Sequence, residues 1–243
     1  MKLGILQCDD VRPELLRKHG NYPAMIQKLL SAADFPCEFS IFQVHHNEFP
    51  DHITVCDAYI TTGSRYSAYD NLTWIRLLET FFLQIAETNI PVVGICFGHQ
   101  VMAQALGGQV AKSPNGWGVG VYQNDIVLKT PWMDPVQSNL NLVASHQDQV
   151  INLPSDATHI AGCAFCPNYM ALFTKNMLGI QGHPEFSKAY GRDLLECRID
   201  VVPAAVMEQA LASFNSEDDS IVCARWILNF FDEFKRKIYN SVQ

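Results

Sequence analysis

A short apolar run, Ile90 to Gly94, passes directly into Ile95-Cys96-Phe97-Gly98-His99-Gln100, which sets a thiol between two glycines where a strand gives way to a helix. Such an elbow is sharp and strained, and only small flanking residues allow it. The side chain at its apex stands clear of the sheet edge, and the N–H groups that follow point at whatever it meets. The sulfur also falls at a helix N-terminus, whose partial positive charge favours thiolate over thiol.

The flanking pattern supplies the strand and helix that the elbow needs. Lys2 to Gln7 reads as a strand, Tyr22 to Ala33 as a helix, and Glu38 to Val44 and Asp57 to Thr62 as two further strands. Thr73 to Glu87 carries Trp74, Leu77, Leu78, Phe81, Phe82 and Ile85 in the rhythm of a core-facing helix. The strand Pro91 to Ile95 and the helix Gly98 to Leu106 follow, and Gly107-Gly108 closes that helix as a C-terminal cap would. Strands alternating with helices predict an α/β fold with a doubly wound, mostly parallel central sheet flanked by helices, and reactive groups beyond the carboxyl ends of its strands. From Gly118 to Gly182 the rhythm changes to a β-rich second half, with runs at Val121 to Lys129, Leu140 to Ser145, Thr158 to Ala164, Tyr169 to Thr174 and Met177 to Gln181. The C-terminus returns to helix over Pro203 to Phe214 and Asp219 to Tyr239; Asp218 or Asp219 can cap the second, and Lys235, Arg236 and Lys237 suit its final turns. No Gly/Ser or Pro-rich linker divides residues 1–243, which read as one domain.

Composition narrows the partners. A formal net charge of −8 without clustered Lys and Arg excludes a nucleic-acid surface. No apolar run approaches the ~20 residues that span a bilayer, and no signal peptide or anchor is evident. Eight cysteines, mostly within core-like elements, read as reduced thiols and point to the cytoplasm. The single CxxC, Cys163 and Cys166, sits in a strand-like stretch without a second pair and reads as core packing. His45 and His46, as neighbours on a strand, would face opposite sides, which disfavours joint metal ligation; solvated loop histidines are the default reading. Trp117, in a glycine-spaced loop, reads first as a packing anchor.

A cysteine nucleophile needs a base and a group that orients the base, and both are usually distant in sequence. Gln181-Gly182-His183-Pro184-Glu185-Phe186 offers them: His183 ends a buried-looking strand, and Glu185 projects to the same side two residues on. A catalytic set of Cys96, His183 and Glu185 follows, in which His183 takes the thiol proton and later protonates the leaving amine while Glu185 fixes its tautomer.

The segments GICFGHQ at 94–100 and GIQGHPEF at 179–186 resemble the two signatures of the class I, triad-type glutamine amidotransferases, the family that includes the glutaminase domain of GMP synthase. ITTGSRYSAYD at 60–70 and SHQDQV at 145–150 resemble two more segments of that family. The resemblance implies the flavodoxin-like fold of that family and hydrolysis of a glutamine or γ-glutamyl amide through a γ-glutamyl thioester on Cys96. It implies no cofactor and no metal. It assigns the oxyanion to the N–H of Phe97 and one from the Gly63–Ser64 loop, and the glutamine head group to the Gln100 side chain and to backbone groups of Ser145, His146 and Gln147. An elbow cysteine also occurs in the small chaperone-like and glyoxalase-type superfamily, but there a His commonly follows the Cys, and here Phe97 does.

Two departures stand out. Ser64 and Arg65 replace the Gly-Pro part of the oxyanion loop of GMP synthase glutaminases, and Gly182 replaces an aromatic residue before HPE. Both resemble free-standing relatives such as plant γ-glutamyl peptidases, and the lost bulk at Gly182 would admit a larger leaving group. No glycine loop suited to an ATP-pyrophosphatase is present, so a synthase would be a separate subunit. Three functions stay open: a glutaminase feeding a synthase, a self-sufficient γ-glutamyl hydrolase or peptidase, and a non-catalytic interaction module. An intact base and orienter beside an elbow thiol speaks against the third.

Overall fold

The computed structural model describes residues 1–33 and 36–240, with side chains through residue 235. Its first half alternates strand and helix. The strand β1 (Lys2–Leu6) is followed by α1 (Pro13–His19), α2 (Tyr22–Ser31), β2 (Glu38–Phe42), β3 (Ala58–Thr61), α3 (Thr73–Ala86), β4 (Val92–Ile95) and α4 (Phe97–Ala105). The second half is strand-rich, with β5 (Gln109–Lys112), β6 (Gly118–Ile126), β7 (Asn139–His146), β8 (Asp148–Asn152), β9 (Thr158–Gly162), β10 (Met170–Thr174) and β11 (Met177–Ile180). Three helices close the chain: α5 (Lys188–Glu196), α6 (Ala204–Ser213) and α7 (Ser220–Asn240).

Nine strands form one sheet in the order β2-β1-β3-β4-β11-β10-β9-β6-β7, while β5 and β8 pair separately. The first five strands are parallel to their neighbours and the remaining ladders are antiparallel, so the α/β sheet is mixed along its length. Strands β3, β4 and β11 are buried at every residue, as a sheet covered on both faces requires. Alternate residues feed opposite cores. Ile60, Val93, Ile95, Leu178 and Ile180 join the cluster under α2 and α7, whereas Tyr59, Val92 and Met177 join the one under α3 and α4.

Details depart from the sequence reading where local pattern is weak. In α3 the buried stripe is Trp74, Ile75, Leu78, Phe81, Phe82 and Ile85, while Leu77 is 43% exposed. At about 100° per residue, Leu77 lies about 100° from the centre of that stripe and Ile75 lies nearer. Helices α1 and α5 and strands β5 and β8 are additional to the elements read from the sequence; α5 nonetheless buries Tyr190, Gly191, Leu194 and Leu195 at helical spacing. Asp219 N-caps α7, accepting the Cys223 N–H through its carbonyl at 2.9 Å while its carboxylate ties the helix to the Asn141 N–H at 2.7 Å. Lys235 lies in α7; the side chains of Arg236 and Lys237, expected in its last turns, fall outside the described residues.

Two corrections concern the histidine and cysteine pairs. The β2 ladder ends at Phe42, and His45 and His46 lie in the 3-10 turn Val44–His46 with ring centroids 4.0 Å apart, so they do not face opposite sides of a strand. Cys163 and Cys166 lie in a bend after β9, where the Cys166 N–H points at Cys163 Sγ at 3.4 Å; Cys166 is buried, and all eight cysteines are free.

Candidate active site

Three adjacent parallel strands end at the same place. The carboxyl ends of β3, β4 and β11 deliver Gly63, Cys96 and the segment Gln181–Glu185 side by side. Cys96 is the apex of the elbow, with φ 49° and ψ −93°, a conformation that costs an ordinary residue about 1–3 kcal/mol. Its N–H donates to Ile180 O at 2.7 Å and its carbonyl accepts from Gln100 N at 3.1 Å, so both neighbours hold the turn closed. The glycines permit it: a Cβ on Gly94 would lie 2.6 Å from the Gly98 carbonyl carbon, and one on Gly98 would overlap Thr61 Oγ1.

His183 reaches the elbow by a second route. Its N–H donates to Val143 O at 2.8 Å in an isolated bridge, which fastens the segment after β11 to the edge strand β7. Its Nδ1 lies 2.8 Å from Glu185 Oε1, and its ring stacks on Phe186 with centroids 3.9 Å apart and 7° between planes. Imidazole and carboxylate are both buried. Burial is the largest influence on His183 and lowers its pKa, but the Glu185 carboxylate and the neighbouring Cys96 together outweigh it and lift the value to about 10. The second histidine here behaves oppositely: burial, followed by the nearby His183, pulls His146 down to about 3. Only one of the two carries charge at neutral pH.

The other expected residues gather at the same spot, with specific bonds. Gly63 backs directly onto His183, since a Cβ there would lie 2.7 Å from His183 Cε1. Ser64 Oγ donates to Cys8 O at 3.1 Å, and Asp9 Oδ2 accepts from Arg65 N at 2.9 Å and Arg65 Nε at 2.7 Å. The two departures in this loop therefore pin it to the end of β1. Phe97 opens α4, where the first N–H groups have no acceptor within the helix. Gln100 already donates its amide to Asp148 O at 2.8 Å and Gln181 Oε1 at 3.2 Å, leaving its carbonyl oxygen for a ligand. Asp148 in turn accepts from Ser67 Oγ at 2.6 Å and Tyr69 Oη at 3.2 Å. Ser145, His146 and Gln147 line a cavity of about 220 Å³ together with Cys96, Gln100 and Trp117, and the Gln147 carbonyl accepts from the Ser113 N–H at 2.9 Å.

Sequence reasoning gave no role to two residues at this site. Gln181, fully buried, donates its amide to Cys96 Sγ at 3.4 Å. Arg198, just beyond α5, donates to Ser145 Oγ at 2.6 Å, and its guanidinium lies 4.9 Å from the centre of the Trp117 ring in the cavity lining. Among the described residues no carboxylate pairs with it, and burial lowers its pKa. Trp117 thus both packs on the core and faces the cavity. Gln181 sits inside a motif and was open to inspection; no spacing links Arg198 to the elbow.

Comparison with known proteins decides the family. The model described as "Glutamine amidotransferase class-I" matches residues 37–199, well over half of the chain. The chain belongs to the class I glutamine amidotransferase family. Within that family it is 31% identical over 195 residues to γ-glutamyl peptidase 4 of Arabidopsis thaliana, covering 77% of this chain and 75% of that protein. It is 31% identical over 157 residues to the glutamine-hydrolysing GMP synthase of Escherichia coli O127:H6, covering 57% of this chain but only 30% of the synthase. A glutamine amidotransferase from Thermotoga maritima superposes with a TM-score of 0.75 at 17% identity, over 94% of this chain and 98% of that one, a likeness of fold. No helix among the described residues is long and apolar enough to cross a membrane.

The space at Gly182 differs from the expectation for this family member. A Cβ there would overlap the Tyr169 hydroxyl, so an aromatic ring from the residue just before β10 occupies the room that the missing side chain leaves, and no extra opening results. That hydroxyl is buried without a hydrogen-bond partner. Gly182→Ala should therefore destabilise the protein by about 1–3 kcal/mol, and Tyr169→Phe should recover part of that loss, read as non-additivity in urea denaturation midpoints. Strict additivity would mean that the two side chains do not compete for the space.

Proposed function

We propose that this family member hydrolyses the γ-amide bond of glutamine or a γ-glutamyl compound, with Cys96 as nucleophile, His183 as acid and base, and Glu185 as the residue that orients His183. The observation that carries the reading is the buried His183–Glu185 pair, bonded at 2.8 Å, beside a cysteine on a strained elbow. His183 holds the proton taken from the thiol, and the thiolate, which receives the Gln181 amide, attacks the γ-carbonyl carbon. The oxyanion accepts from the Phe97 N–H and from the Gly63–Ser64 loop, where losing one donor typically costs about 10² to 10³ in rate. The carbon–nitrogen bond breaks as His183 protonates the departing nitrogen, giving ammonia or an amine. Water activated by the then neutral His183 hydrolyses the thioester, releasing glutamate and restoring the thiol proton.

Substrate selection falls to the cavity wall. Arg198 offers a guanidinium that no carboxylate among the described residues pairs with, beside Ser145, a fit for the α-carboxylate of a γ-glutamyl group. Gln100 and backbone groups of Ser145 to Gln147 complete the head-group site, and the mouth beside Trp117 is left for the leaving group. Residues 1–243 act as one domain, and the eight free cysteines suit a reducing compartment such as the cytoplasm.

Glutamate release by the purified, reduced protein, measured with glutamine and with a γ-glutamyl dipeptide, tests the reading; Cys96→Ala should abolish it while circular dichroism stays unchanged. Release that survives in Cys96→Ala would remove the mechanism, and turnover of glutamine alone would instead indicate an ammonia-donating subunit with a separate synthase. Because His183 must be charged to protonate the leaving nitrogen, activity should fall as pH rises through its pKa of about 10. Glu185→Gln removes a charge that raises that pKa, so the alkaline limb of kcat/KM should move to lower pH by about 1–3 units. Arg198→Gln should raise KM about 10- to 100-fold with little change in kcat, the worth of a charged hydrogen bond to the ground state.

A further inference from the structure

Outside the cavity, a second group of ligating side chains stands at the exits of β1 and β2. We propose that Asp10, His45 and His46 form a binding site for a divalent transition-metal ion of the zinc type. The strands are parallel neighbours, so the segments that leave their carboxyl ends run side by side. One ligand atom from each of the three residues lies within 4.8 Å of the others. None of the three lines the cavity at Cys96.

The supporting bonds orient these side chains as ligands are oriented. His45 Nδ1 lies 2.9 Å from Gln7 O, a carbonyl that can only accept, so Nδ1 carries the hydrogen. In the neutral ring Nε2 then presents a lone pair, and it faces Asp10 Oδ2 at 3.3 Å. A hydrogen on Nε2 makes this contact an ion pair, and a metal ion in its place would bond both atoms. Bonds of about 2.0–2.1 Å at the tetrahedral angle set neighbouring ligand atoms about 3.3–3.4 Å apart, so His45 and Asp10 already hold one edge of such a site. Asp10 is aimed from behind: its Oδ1 accepts from Gln7 Nε2 at 2.7 Å and Asn21 Nδ2 at 2.6 Å. A backbone carbonyl on the imidazole and amides on the carboxylate are the outer partners that metal ligands require. His46 is exposed, its ring tilted 43° to that of His45, and is free to turn toward the same point.

Two imidazoles and one carboxylate suit Zn²⁺, Ni²⁺ or Co²⁺ and are poorly matched to Mg²⁺ or Ca²⁺, which take oxygen. An ion here would tie the end of β2 to the Asp9–Asp10 turn, whose Asp9 carboxylate holds Arg65 of the Gly63 loop.

The test is titration of chelator-treated full-length protein with Zn²⁺ by calorimetry and with Co²⁺ by visible absorption, in the wild type and in Cys96→Ala to remove the elbow thiol. One saturable equivalent in both proteins is expected, with d–d bands and no thiolate-to-cobalt charge transfer, undisturbed by excess Mg²⁺. His46→Ala, an exposed change that should leave the fold intact, should weaken binding about tenfold or more, and Asp10→Asn should do the same. Thermal stability should rise with Zn²⁺ in the wild type and rise less in His46→Ala. Absence of saturable binding would overturn the site and leave His45 and Asp10 as a plain ion pair. A thiolate band, loss of binding in Cys96→Ala, or wild-type affinity in His46→Ala would overturn it equally.

Discussion

Everything at the candidate site depends on one backbone conformation, the positive φ at Cys96. An L-residue stays there only if its surroundings leave it no alternative, and here they do so from three sides. The N–H of Cys96 is committed to Ile180 O, its carbonyl receives the Gln100 N–H of the first helical turn, and the two glycines let β4 and α4 approach without side chains between them. Parallel pairing of β4 with β11, in register at Ile95 and Ile180, is thus both the core of the sheet and the clamp on the elbow cysteine.

The second constraint closes the site from the far edge. The antiparallel half of the sheet runs through β10, β9 and β6 to β7, yet β7 returns to meet the segment that follows β11, through the His183 N–H and Val143 O. A flat sheet of this order would leave those strands far apart, so the antiparallel half must coil on itself. The β-rich second half therefore serves the site as a wall, bringing Ser145, His146 and Trp117 over a thiol that belongs to the parallel half.

What was legible in the sequence follows from how local each signal is. The elbow announces itself because strand, glycines and helix are contiguous, and the His-Pro-Glu segment carries its own geometry two residues apart. The central strands read well because burial on both faces makes them uniformly apolar. Strands β5 and β8, with Gln109, Lys112, Asp148 and Asn152 among their residues, are half polar because they form a separate ribbon. Arg198 was invisible because its partner Ser145 lies on an edge strand that only tertiary coiling brings near. The histidine pair was misread since the end of a strand ladder is set by its neighbour, and β1 offers no partner beyond Phe42.

The contact between Gly182 and Tyr169 has a wider meaning for how the packing beside the His-Pro-Glu segment changes. One position supplies a ring and the other must then supply nothing, although they lie on consecutive stretches of chain and only one of them touches the His-Pro-Glu segment in sequence. The two behave as a single locus with one aromatic allotted to it. A scan of either residue alone would classify both as intolerant, whereas an exchange of the pair moves the same volume from one side of the contact to the other. Reshaping this part of the core is therefore a two-step walk through a less stable intermediate, unless the bulk is removed before it is replaced.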